Sequence, residues 1–134
     1  MRTTPRTPAA TLRGAVAAAL CIAAPLLASS AASAHHGWRW AEDENSELSG
    51  VIEAVRLGNP HGELTVTADD GATWTVEVGQ PWRNERAGLT DDMLTKGVHL
   101  TVSGHRSATP GQNLIKAERV TIDGRTFDLY PDRD

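Results

Sequence analysis

From Glu47 almost to its end, this chain alternates apolar and polar residues in short runs, each cut off by turn residues. A period of two is the pattern of a strand with one buried face, so the alternation commits the chain to a mainly β fold. Glu47 to Leu57 is a strand carrying Gly50, where a bend or bulge is expected. Gly58-Asn59-Pro60-His61-Gly62 is a turn, with Asn first, Pro second and Gly fourth in Asn59–Gly62. Glu63 to Ala68 places Leu64, Val66 and Ala68 on one face, and Asp69-Asp70-Gly71 is a hairpin turn. Ala72 to Val78 then alternates with Ala72, Trp74, Val76 and Val78 inward.

The next stretch changes period. Gln80 to Gly88 suits one short helix, with Pro81 in its first turn and Gly88 at its end. Thr90-Asp91-Asp92 reads as a second capped turn, in which the Thr90 side chain bonds a free amide. Val98 to Arg106, Leu114 to Ile122 and Thr126 to Tyr130 are three further strands, separated by a Pro110-Gly111 loop and an Asp123-Gly124-Arg125 turn. The fold expected is a small OB-like barrel of five to six strands, with a short helical segment between strands 3 and 4. An open sandwich is the structural alternative.

The first 34 residues are of another kind. Arg2, Arg6 and Arg13 make a cationic start, Ala15 to Leu27 is apolar apart from Pro25, and Ala32 and Ala34 are small residues at the positions signal peptidase requires. The apolar run falls short of the roughly 20 residues of a membrane span. The expected layout is a signal peptide over 1–34, an irregular arm over 35–46 and one barrel domain over 47–134, in a periplasmic or secreted protein. Cys21 lies within the signal core, so the mature chain carries no thiol for disulfides or metals. Ten basic and seventeen acidic residues then remain, a net charge of −7. That charge argues against nucleic acid or an anionic membrane as partner, because both are bound through Lys and Arg.

Cleavage after Ala34 would expose His35 and His36 beside a free α-amine. The amine and the His35 imidazole can grip one Cu(II), and the His36 imidazole can complete a nitrogen set that suits copper. Trp38 and Trp40 follow at once, and large aromatics in an arm usually dock on something. His61, expected to face solvent from a turn that Pro60 makes rigid, is the candidate third ligand. His99 and His105 are expected on one exposed strand face roughly 20 Å apart, too far to share an ion. The sequence offers no recognisable nucleophile–base–orienter pattern, so no catalytic residue is assigned.

The His-His pair after the signal, the Gly58-Asn59-Pro60-His61 turn, Trp74-Thr75-Val76-Glu77, Pro81, Gly88-Leu89-Thr90, Gly97 and Asp123-Gly124-Arg125 occur in one order. In this the chain resembles a bacterial family of small exported proteins of unknown function. It carries Leu57-Gly58 where the family pattern has an aromatic before the Asn. The resemblance implies export and a small β fold, and brings no activity. The function expected is that of an exported, non-enzymatic barrel protein binding copper through His35, His36 and His61. A metal-free module that docks on another envelope protein is the alternative.

Overall fold

The computed structural model describes residues 36–133. The expected signal peptide and His35 lie outside those residues, as does the side chain of His36. A 3-10 turn, His36–Trp38, leads into six strands: β1 (Ala41–Arg56), β2 (Glu63–Ala68), β3 (Thr73–Glu77), β4 (His99–Ser107), β5 (Leu114–Ile122) and β6 (Arg125–Asp128). Helix α1 (Pro81–Ala87) and a 3-10 turn at Asp91–Met93 lie between β3 and β4. The strand order is β3-β2-β1-β4-β5-β6, and β3 also pairs with β5. Five strands therefore bond in a ring, with β6 added to the outer half of β5. This is the mainly β, OB-like barrel expected from the alternation, helix position included.

The ring closes because β1 is long enough to serve two neighbours. Its first part pairs with β4 and its last part with β2, and Gly50 stands opposite both Leu100 and Ala68. A Cβ on Gly50 would lie 2.3 Å from the Thr67 carbonyl oxygen, so only glycine admits β2 this closely. The β1–β2 register shift expected near Gly50 falls instead between Ile52 and Ala54. The strand also starts earlier than the sequence suggests. Ala41 to Ser46, expected as irregular arm, belongs to β1: Ala41 stands opposite Ser107, and after a register break Asn45 and Ser46 stand opposite His105 and Gly104. Exposed acidic residues there hide the alternation, while the backbone ladder needs no apolar side chain.

Inward residues fill the barrel. Ile52, Val66, Val76, Val102, Ile115, Ala117 and Val120 are fully buried, and Leu89 and Leu94 are buried with them in one core. Helix α1 ends at Gly88, whose φ of 82° is the left-handed cap glycine favours. Asn84, buried in the same helix, accepts from the Gly79 amide and donates to the Gly79 carbonyl, tying α1 to the end of β3. The expected Thr90 side-chain cap is absent, and the turn is closed by the Met93 amide bonding the Thr90 carbonyl.

Candidate functional site

Strand register decides which outward side chains meet. Arg56 stands opposite Glu63, Glu63 opposite Glu77, Glu77 opposite Lys116, Lys116 opposite His105, and His105 opposite Asn45. Directly paired residues share a face of the sheet. A belt of polar groups thus winds round the outside of the barrel across all five strands of the ring, leaving β1 at Arg56 and returning to it at Asn45.

The acidic part of the belt carries an intrinsic conflict. Glu63 and Glu77 are like charges directly opposite each other, which destabilises a strand pair. Three cationic or polar neighbours offset it. Arg56 forms an ion pair with Glu63, and Lys116 Nζ lies 3.8 Å from Glu77 Oε2. His61 comes between the two carboxylates, its Nε2 3.5 Å from Glu63 Oε1 and 3.3 Å from Glu77 Oε1. The loop that presents His61 contains a cis Asn59–Pro60 peptide. It is then fixed by Gly62, whose amide bonds the Gly79 carbonyl and whose carbonyl accepts from Val78. His61 is accordingly only 27% exposed, where the turn alone led us to expect a solvated side chain.

The basic part of the belt holds the arm. Lys116 Nζ donates to the Gly37 carbonyl at 3.0 Å, and sits 4.8 Å from the centre of the Trp38 ring. The Arg133 guanidinium covers Trp38 at 4.1 Å, and the rings of His105 and Tyr130 meet it edge-on at 5.5 and 5.1 Å. Trp38 is thus docked, through cation–π and aromatic contacts that replace part of its lost hydration.

Beneath it His105 is buried, against the expectation of an exposed surface histidine. A bulge explains the change. Ser103 pairs with Arg119 and Gly104 with Ala117, so Glu118 is an extra residue in β5. His105 Nδ1 donates to the Glu42 carbonyl at 2.8 Å and Nε2 faces Glu118 Oε1 at 2.9 Å. Asn45 and Arg133 each donate to Glu118 at 2.9 Å, so the buried carboxylate is well supplied with donors.

Burial and charge move three groups. Desolvation lowers the Lys116 amine, with Arg83 and Arg133 adding to the shift and Glu77 opposing it. The Arg56 hydrogen bond holds the Glu63 carboxyl below its ordinary value, against a smaller desolvation effect. Burial pushes the Tyr130 phenol up.

Of the residues singled out in sequence, His61 joins a cluster of ligating atoms. Those of His61, Glu63 and Glu77 lie within 4.8 Å of one another. His99 stays exposed, beside Asp69 at 3.1 Å, apart from the belt. Glu63, Glu77, Lys116, Glu118 and Arg133 went unrecognised. The first two were within reach, since they lie equally far on either side of Asp70 in the hairpin turn. Lys116 and Glu118 depend on ring closure and on a bulge, which alternation does not announce.

Among solved structures the chain is similar to a crystal structure of TiaS in complex with an isoleucine tRNA and ATP, at 17% identity and a TM-score of 0.44, over 59% of this chain and 18% of that one. It is also similar to the ZRD-deleted mutant of TiaS in complex with agmatine, at 15% identity and a TM-score of 0.46, over 64% of this chain and 26% of that one. The chain therefore spans about a quarter or less of these two structures. No curated protein sequence matches it. Residues 24–113 match the pattern described as "Family of unknown function (DUF6152)", and the chain belongs to that family.

Proposed function

We propose that this is an exported, non-enzymatic β-barrel protein of the periplasm or exterior that binds copper at an N-terminus created by cleavage after Ala34. The His35 amine, the His35 and His36 imidazoles and His61 are the ligands of this reading, a nitrogen-rich set of the kind copper prefers. One observation carries it. Lys116 bonds the Gly37 carbonyl and also faces Glu77, which in turn contacts His61. The chain two residues after His35 is therefore anchored to the same row of side chains that includes His61.

The test is a Cu(II) titration of the processed protein beside a copy with one extra residue before His35. The extension turns the coordinating amine into an amide and should remove most of the affinity, and His61→Ala should weaken what binding the processed protein has. Equal binding by the processed and extended proteins would sink the reading. A metal-free module docking on another envelope protein is the second reading, and its support is Trp82. That ring is 51% exposed on α1, with the Arg83 guanidinium 4.6 Å from its centre. Exposed aromatics and Arg of this sort are frequent anchors of protein interfaces.

A further inference from the structure

We propose that His61, Glu63 and Glu77 form a preformed site for a borderline divalent cation of the zinc class, held by the barrel itself. The site shares His61 with the copper reading, but it needs neither the His35 amine nor cleavage of the chain.

Three observations carry this. The first is spacing. A tetrahedral ion with bonds of roughly 2.0–2.1 Å to nitrogen and oxygen sets its ligands about 3.3 Å apart. His61 Nε2 already lies 3.3 Å from one carboxylate and 3.5 Å from the other, close to the ligand separation such an ion needs. Only the two carboxylates, whose oxygens are within 4.8 Å of each other, must close slightly.

The second is charge. Two carboxylates in direct cross-strand register repel, and a dication placed between them removes that repulsion outright. The present counter-charges are at the margins. Arg56 is 69% exposed, and Lys116 stands off Glu77 at 3.8 Å. Each contacts one carboxylate only, Arg56 that of Glu63 and Lys116 that of Glu77.

The third is rigidity. Glu63 and Glu77 belong to a paired hairpin, and the amide and carbonyl of Gly62, next to His61, both bond to the chain just beyond β3. A ligand set on paired strands loses little freedom when the ion enters. One nitrogen and two oxygens also fit zinc better than the all-nitrogen set proposed for copper. Three protein ligands leave the fourth position of the tetrahedron for water.

The experiment is a calorimetric Zn(II) titration of the full mature chain extended by one residue before His35, so that the amine chelate is disabled. One ion per chain is expected. Outer-shell partners of a bound metal are worth about 10–100-fold in affinity. Loss of a direct ligand in His61→Ala or Glu77→Gln should therefore weaken binding by about tenfold or more. Arg56→Gln, which removes a competing cation at an exposed position, should tighten it. Circular dichroism of each variant without metal checks that the barrel is intact, and His61→Ala, a loop change, preserves the test should Glu77→Gln not fold. No saturable binding to the extended chain, or binding that His61→Ala leaves unchanged, overturns the proposal. Neither result touches the copper reading, which stands or falls on the processed amine.

Discussion

His105 Nε2 lies 2.9 Å from Oε1 of Glu118, and both side chains are buried although each points away from the barrel core. The arm makes this so. Trp38 covers His105 edge-on, and the Glu42 backbone takes up the other ring nitrogen. A side chain that strand alternation turns outward is thus not necessarily wet, because a second layer of chain can lie over it.

Glu118 is the centre of this buried group and the residue whose loss should cost most. Asn45, His105 and Arg133 all direct polar atoms at it, and it is 3% exposed. Removing one partner of a buried charge network leaves the others uncompensated, typically at 3–5 kcal/mol, so Glu118→Ala should destabilise by about 3 kcal/mol. Urea unfolding followed by tryptophan fluorescence measures it. A change under about 1 kcal/mol, the range of a surface ion pair, would mean that the network is solvated.

Two glycines that meet the same lysine should behave oppositely. A Cβ on Gly104 would lie 1.9 Å from the Lys116 carbonyl oxygen, in the backbone of the neighbouring strand. On Gly37 it would lie 3.3 Å from Lys116 Nζ, the far end of a long side chain that needs to give by only a few tenths of an ångström. Gly104→Ala should therefore lower stability by about 2–3 kcal/mol, the cost of overpacking against a fixed wall. Gly37→Ala should stay within about 0.5 kcal/mol of the parent. Thermal unfolding of the two variants side by side decides the matter.

Tyr130 gives a pH-dependent readout, since it is the only tyrosine in the chain. Burial raises its phenol above the ordinary value of 10.0, with Arg83 and Arg133 opposing and Glu77 assisting. The ultraviolet phenolate signal of the folded protein should rise at a higher pH than that of the protein unfolded in urea. The sign for stability follows from proton binding. Between the unfolded and folded values the native state holds the proton that the unfolded state has lost, so stability falls as pH rises through that window. Coincident titrations of the folded and unfolded protein would show that Tyr130 is solvated.

Much of the barrel was legible because its inward residues alternate cleanly. Leu64, Val66 and Ala68, then Val76 and Val78, mark β2 and β3 within a residue or two of their ends, and Pro81 and Gly88 bracket α1. The first turns of β1 were not legible, since Glu42, Asp43 and Glu44 are exposed and only their backbone reports the strand. The site was legible only in part. His61 stood out as the one histidine in a rigid turn, but Glu63 and Glu77 read as ordinary outward residues until the hairpin set them opposite each other. His105 was misjudged because its burial comes from a bulge at Glu118 and from the arm, neither of which lies in its own strand.

The docking of Trp38 also dictates an order of events during folding. Gly37 and its lysine partner are 79 residues apart, and the guanidinium over the Trp38 ring comes from Arg133, beyond β6. The arm thus has nowhere to settle until β5 and the stretch beyond β6 are in place. Contacts this far apart in the chain slow folding and tie the arm and the stretch beyond β6 into one cooperative event. A chain cut back before Arg133 should lack the guanidinium that covers Trp38 and hold its arm less firmly, whatever part of the barrel it forms.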